Sequence, residues 1–175
     1  MKLLNEEDLM NEINKELPDS LYVEIYGEPK KIKVLKAKVI GQDSSVRVYQ
    51  AEVALDEERI KTVLIKELKA KIDDSEEKFR EDFERDKKLF QLLGDDMAKP
   101  LFLSDFEDRL LALYQITSAR SLDDFKSLDI FRVVEVMENL AKILKKLHDQ
   151  DISYMDLEPS NILYDYQRKK IQIFD

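Results

Sequence analysis

Four side chains of types that can take part in chemistry are spaced along the chain. The final stretch, ISYMDLEPSNILYDYQRKKIQIFD, holds Asp156, then Asn161, and Asp175 at its end. Lys66 ends the apolar stretch VLIK in the first half of the chain. A carboxylate can accept a proton or bind a cation, and a Lys supplies a fixed positive charge. Each could instead be an ordinary residue, since Asp and Asn are common in turns and a lone Lys at a strand end is usually solvated.

The composition limits the classes of protein that fit. The 175 residues carry 29 Lys and Arg against 38 Asp and Glu, a formal net charge of −9 at pH 7, which argues against a nucleic-acid partner. Cys is absent, which excludes disulfides, thiolate zinc sites and cysteine nucleophiles. The acidic start MKLLNEEDLM is unlike a secretory signal, and no apolar run approaches the roughly 20 residues that span a bilayer. We therefore expect a cytoplasmic protein with no membrane partner.

The elements that would position these side chains begin with strands. Residues 1–30 are predicted to be an N-terminal helical extension, with apolar residues at helical spacing up to Leu17. From residue 31, three runs with alternating apolar residues predict an antiparallel meander that includes IKTVLIKEL. A helix from Ser75 to Leu93 follows, with Gly94 as its stop. The runs PLFL and RLLALYQI predict two more strands.

The second part of the chain, residues 118–175, has a helical character. Its longest helix is predicted from about Asp129 to Gln150, and apolar residues cover roughly half of its circumference, more than one flanking layer requires. This helix is therefore expected to pack on two sides. After it, NILY and KIQIF predict two short strands around a polar turn.

Taken in chain order, these motifs resemble the protein kinase superfamily, in particular a bacterial-type Ser/Thr protein kinase-like domain. VLIK resembles the third-strand lysine motif, and LHDQDISYMDLEPSNILYD is similar to the catalytic loop with its preceding Leu-His. The resemblance extends from about Lys36 to Asp175. It implies an α+β, protein kinase-like fold: a five-stranded antiparallel N-lobe with one main helix (residues 31–117) and the first, mainly helical part of the C-lobe (residues 118–175). In this fold His148 would be structural.

The resemblance implies a role for each matched residue in phosphoryl transfer from ATP with Mg²⁺ to a protein or small-molecule hydroxyl. Lys66 would contact the α- and β-phosphates, and Asp156 would accept or orient the hydroxyl proton. Asn161 and Asp175 would be oxygen ligands of Mg²⁺. The other implied nucleotide contacts are the glycine-loop and adenine-pocket residues Gly41, Val48 and Ala51, and the hinge residues Gln115 and Thr117 beside Tyr114.

Several residues differ from the family pattern at positions that, by the resemblance, contribute to catalysis or phosphate binding. The segment GQDSSV keeps only Gly41 of the three glycines usual in the loop over the phosphates. Met155 replaces the Arg before the catalytic Asp, and Glu158 replaces a phosphate-stabilising Lys. The acid that pairs with the third-strand lysine is either Asp86 or Glu84.

Two classes of function follow from the matches and the departures. The first is a phosphotransferase that acts on a Ser/Thr hydroxyl or, as in aminoglycoside- and choline-type kinases, on a small-molecule hydroxyl. The second is a pseudokinase, a partner-binding module without catalysis. Because the pattern stops at Asp175, the first residue of the Asp-Phe-Gly motif, we interpret the chain as a fragment, or as one whose missing C-lobe comes from another chain.

Overall fold

The computed structural model describes residues 17–25, 28–42, 45–54, 60–69, 73–106, 109–117, 120–125, 128–154 and 156–174. Within these residues the strands are β1 (Ser20–Ile25), β2 (Glu28–Gln42), β3 (Val46–Ala54), β4 (Ile60–Leu68), β5 (Lys99–Phe106), β6 (Arg109–Gln115), β7 (Arg120–Ser121), β8 (Ile162–Asp165) and β9 (Lys170–Ile173). The long helices are α1 (Asp73–Leu93) and α2 (Ile130–His148), and single 3₁₀ turns are formed by Gly94–Asp96, Leu122–Asp124 and Pro159–Asn161.

The first six strands form one antiparallel sheet in the order β1-β2-β3-β4-β6-β5, which curls until β1 contacts β5. Strand β3 explains why the sheet has a core on each face. Its residues Tyr49, Ala51 and Val53 belong to the core inside the curl, whereas Val46 and Val48 pack on the opposite face. Alternate side chains of a strand point to opposite faces, so this period-two pattern requires apolar partners on both sides.

Helix α1 covers the second face of this sheet. Its Phe79 and Phe83 are buried against Leu64 and Leu110 of the strands. The helix ends at Gly94, whose φ of +60° is a left-handed conformation that Gly adopts without steric cost. Helix α1 is therefore fixed on the sheet by its aromatic residues, with a stop where the sequence predicts one.

The second sheet has the order β7-β8-β9 and packs against α2. The helix begins after Asp129, whose side chain accepts a hydrogen bond from Arg132 N at 3.0 Å. The buried face of α2 and the strands share one core, formed by Val136, Leu140, Ile143, Leu147, Ile162, Tyr164, Ile171 and Ile173. The hydrogen bond from Ala98 N to Ile173 O (2.9 Å) joins this part to the chain before β5.

One face of α2 is packed, but another is exposed, in contrast to the expectation of partners on two sides. Phe131 is 83% exposed, and Ile130, Val134 and Met137 are also largely accessible. Among the described residues, no helix has both the length and the apolar character needed to cross a membrane. The apolar residues of α2 thus extend beyond its packed face.

The predicted fold class, a five-stranded N-lobe with a mainly helical C-lobe, is wrong. The structure is rich in strands: a curled sheet of six strands with one main helix against it, followed by α2 and a second sheet. The additional strand is β1, whose Leu21 is fully buried beside Ile32 of β2. Burial of Leu21 explains why these residues join the sheet rather than an extension. The helix predicted before Leu17 lies outside the described residues.

Candidate functional site

A cavity of about 680 Å³ lies between the curled sheet, α1 and the loop before β8. Its volume is in the range typical of small-molecule sites. Residues that are distant in sequence meet there, because the curled sheet supplies one wall and the chain after α2 supplies the other. Five of the predicted site residues line this main cavity: Gly41, Val48, Lys66, Asp156 and Asn161.

Lys66 enters the main cavity from β4. In the register of the sheet it lies between Val48 of β3 and Ala112 of β6. Its neighbour Ile65 belongs to the core inside the curl, so strand alternation directs Lys66 to the opposite face. Lys66 is only 6% exposed, and its Nζ lies 5.1 Å from the centroid of the Tyr114 ring, a cation–π arrangement. The lysine is thus held as a largely desolvated cation on the cavity wall.

Asp86 of α1 is connected to this wall through Tyr114, which lines the cavity. The hydroxyl of Tyr114 donates to Asp86 Oδ2 at 2.8 Å, and Asp86 is buried. Glu84 points away from the core and pairs with Lys87, at 2.6 Å. Of the two acids that the sequence leaves open, the geometry therefore favours Asp86 as the partner of the lysine site.

The loop before β8 holds Asp156 and Asn161 together. Asn161 Nδ2 donates to Asp156 Oδ2 at 2.9 Å, and the backbone N of Glu158 donates to Asp156 O at 3.0 Å. Phe174 N donates to Asn161 O at 3.0 Å, which fixes the loop to the end of β9. The carboxylate of Asp156 is thereby oriented by a neighbouring amide and stays exposed to the cavity.

The charges around the main cavity are mixed, with an excess of acids. Its lining contains three lysines and five carboxylates, namely Lys38, Lys66, Lys78, Asp82, Asp123, Asp124, Asp156 and Glu158. An anionic ligand such as a nucleotide would meet attraction at the lysines and repulsion at the acids. A divalent cation bound with the ligand would offset that repulsion.

The residues present are compatible with Mg²⁺, which prefers oxygen ligands. Asn161, one of the two predicted ligands, offers an amide oxygen at one end of the cavity, beside the carboxylate of Asp156. Within the described part of the chain, no three residues among His, Cys, Asp and Glu cluster as a metal site. Asp175, the other predicted ligand, lies outside the described residues, as does Met155.

Three other predicted contacts lie elsewhere. Gln115 and Thr117 line a second cavity of about 290 Å³ instead of the main one. Thr117 N already donates to Gln172 Oε1, at 3.0 Å. Ala51 is buried inside the curl of the sheet, on the face opposite Val48. The predicted nucleotide contacts of Gln115 and Thr117 remain predictions.

Two polar residues that connect parts of the site were missed as functional candidates. Ser121 caps the turn Leu122–Asp124, and its Oγ accepts a hydrogen bond from Asp123 N at 3.3 Å. The same hydroxyl donates to Pro159 O at 3.1 Å, in the loop that carries Asp156 and Asn161. Gln172 is buried on β9. The sequence feature that could have identified it is a polar residue between two apolar ones in KIQIF.

Comparison with known proteins gives a local similarity. No protein-family model matches the chain. A segment of 66 residues is 36% identical to the human cell division cycle 7-related protein kinase. The segment is 38% of this chain and 12% of that kinase, so the match spans only a small part of the relative's length.

Proposed function

We propose that the main cavity binds ATP with Mg²⁺ and that the protein is a kinase, which transfers the γ-phosphoryl group to a Ser/Thr hydroxyl of a protein. One observation carries the proposal: Lys66 from β4 lines the same cavity as Asp156 and Asn161 from the loop before β8. A cation for phosphates, a proton acceptor and an oxygen ligand for a metal are the groups that phosphoryl transfer requires. The local similarity to a protein kinase supports the same chemistry.

Each residue has a separate task in the proposed reaction. Lys66 holds the phosphates as a desolvated positive charge. Asp156, oriented by Asn161, accepts the proton of the acceptor hydroxyl as the phosphoryl group is transferred. Mg²⁺, when bound, supplies neutralisation of the phosphate charge, with Asn161 and Asp175 as oxygen ligands.

A second candidate function is a binding module that holds a nucleotide without transfer. Glu158 favours it, because this exposed carboxylate lines the cavity two residues after Asp156 and would repel phosphates. The loss of two glycines from the segment GQDSSV favours it as well. The two functions share nucleotide binding and differ in transfer.

Nucleotide binding is tested first, by thermal unfolding with and without ATP and MgCl₂. A ligand that binds only the native state at about 100 times its Kd stabilises it by about 2.7 kcal/mol, so we expect a rise in Tm for the unaltered protein. Lys66→Met removes the buried cation and should abolish the rise. Lys88→Met, at an exposed lysine of α1, is the matched control and should retain it. No rise for the unaltered protein at millimolar ATP would overturn the proposal.

Transfer is tested with labelled ATP and panels of protein and small-molecule acceptors. Asp156→Asn should lower the rate at least ~100-fold, the usual contribution of general base catalysis, with ATP binding preserved. Asp149→Asn, which removes an exposed pair with Lys145, should leave the rate unchanged. Nucleotide binding without transfer to any acceptor would instead favour the binding module. Transfer only to small molecules would show that the acceptor is a small molecule and not a protein.

A further inference from the structure

The side chain of Gln172 connects three segments of the protein. It lies on β9 and is only 7% exposed. Its Oε1 accepts hydrogen bonds from Thr117 N at 3.0 Å and Thr117 Oγ1 at 3.2 Å. Its Nε2 donates to the backbone oxygens of Asp95 at 3.1 Å and Met97 at 3.3 Å. One amide thus bonds β9 to the segment after β6 and to the turn after α1.

Each of these segments continues into a wall of the main cavity. The segment after β6 follows Tyr114, which lines the cavity and contacts Lys66. The turn follows α1, whose Phe79 and Asp82 line the cavity. Strand β9 leads to Phe174, which also lines the cavity and donates to Asn161 O. A change at the junction of the three segments would therefore move the two sides of the cavity relative to each other.

The chemistry of the junction makes it sensitive to the identity of residue 172. An amide side chain offers both an acceptor and donors, and here both ends are used. An apolar side chain of similar size would leave Thr117 N and the two carbonyl oxygens without this partner. Unmade hydrogen bonds at buried groups are costly, so the segments would relax apart.

We propose that Gln172 is a positioning residue that sets the separation of Lys66 from Asn161 across the main cavity. The inference rests on the proposed function, because this separation matters when one nucleotide with its metal contacts both sides. Gln172 itself does not line the main cavity and acts only through the segments that it joins.

The test compares Gln172→Met with Gln167→Met, a matched control in the exposed turn between β8 and β9. Gln172→Met removes all four hydrogen bonds of the amide and should accelerate hydrogen exchange of the Thr117 amide and weaken binding of ATP with Mg²⁺, each at least about tenfold, because the loss of a single hydrogen bond can already account for a factor of this size. Gln167→Met should change neither quantity. Thr117→Val, which removes only the bond from Oγ1, should give smaller changes of the same sign.

A double-mutant cycle distinguishes positioning from a general loss of stability. Lys66→Arg and Asn161→Gln are made singly and together, and their coupling in ATP affinity is measured both in the otherwise unaltered protein and in the Gln172→Met variant. We expect coupling with Gln172 and a loss of most of it with Gln172→Met, whereas a purely structural effect would leave the coupling unchanged.

The outcomes separate the inference from the proposed function. Unchanged Thr117 exchange and unchanged coupling in Gln172→Met would overturn the role of Gln172 and leave the kinase proposal intact. If the unaltered protein binds no ATP, the proposed function and the positioning of a nucleotide both fall. Thr117 exchange would then still decide whether Gln172 holds the junction.

Discussion

Tyr114 contacts Lys66 through its ring and Asp86 through its hydroxyl group. Its hydroxyl donates to Asp86 Oδ2 at 2.8 Å, and its ring centroid lies 5.1 Å from Lys66 Nζ. The ring also meets that of Phe83 edge to face, with centroids 5.7 Å apart. Because Phe83 and Asp86 lie on α1 while Tyr114 and Lys66 lie on strands, this tyrosine links the helix to the sheet at the cavity wall.

Tyr114→Phe should destabilise the fold through the loss of one hydrogen bond. The variant keeps the ring, and with it the contacts to Phe83 and Lys66, but removes the donor to the buried Asp86. We expect the free energy of unfolding in urea to fall by about 0.5–1.5 kcal/mol, the usual net contribution of one hydrogen bond. Tyr166→Phe, at an exposed tyrosine, should change it by less than about 0.5 kcal/mol. Equal stability of the two variants would contradict a structural role for the hydroxyl.

Tyr49 makes stability depend on pH at alkaline values. Burial, together with the hydrogen bond of 2.6 Å to Glu67, raises the pKa of Tyr49 above its usual 10.0, although Arg47 acts in the opposite sense. The folded state thus keeps this proton at a pH where the unfolded chain loses it. The resulting stability is fully present below about pH 10 and is lost as the pH rises through the folded-state pKa.

Tyr49→Phe should therefore remove part of the alkaline decline. We expect the free energy of unfolding of the unaltered protein, measured in urea between about pH 8 and 11, to fall more steeply than that of the variant. Tyr166→Phe is the control and should follow the unaltered protein. Parallel curves for the unaltered protein and Tyr49→Phe would show that Tyr49 does not titrate as its burial indicates.

Local chemistry explains the parts of the fold that could be predicted. Helix α2 was predicted from Asp129 to Gln150 and spans Ile130–His148 with Asp129 as its cap. Gly94 was predicted as the stop of α1 and adopts the positive φ that suits a stop. Capping and positive φ depend on a few neighbouring residues, so the sequence is sufficient to locate them.

The features that were not predicted depend on contacts between segments that are distant in the sequence. The alternation of Leu21, Val23 and Ile25 was a signal for β1, but a run this short becomes a strand only when a partner such as β2 is present. The alignment of Leu89 and Phe90 with the core face of α1 placed Asp86 on that face and left Glu84 as the alternative, and Asp86 is the acid that is buried. The four hydrogen bonds of Gln172 join segments that no local pattern relates.

The exposed face of α2 should promote self-association. Phe131 and Met137 are 83% and 58% exposed, and exposed apolar patches on a helix typically mark a surface that another protein segment covers. Phe131→Ser with Met137→Ser should reduce the weight-average mass in sedimentation velocity at micromolar concentration, with little change in unfolding. Leu35→Ser, at an exposed leucine of β2, is the control and should leave the mass unchanged. A mass that is monomeric before and after the change would contradict this prediction.

Glu158→Lys should strengthen nucleotide binding if phosphates occupy the main cavity near Asp156. Glu158 is exposed at the cavity, and its only hydrogen bond from a side chain among the described residues is a long one of 3.4 Å from Ser160. Reversal of its charge replaces repulsion of the phosphates by attraction. At partly solvated sites such interactions amount to about 1 kcal/mol, so we expect the Kd for ATP with Mg²⁺ to fall roughly threefold to tenfold at low ionic strength.

Glu138→Lys separates this local effect from a change in net charge. Glu138 is exposed on α2 outside the cavity, and its substitution alters the net charge equally. We expect less than about a twofold change in Kd for this variant, and the gain from Glu158→Lys should shrink as salt is added because exposed charges are screened. Equal gains from both variants would mean that the lower net negative charge of the whole protein, and not the position of Glu158, accounts for the tighter binding. Weaker binding by Glu158→Lys alone would mean that the carboxylate of Glu158 supports the ligand or its metal, contrary to the repulsion inferred from its position.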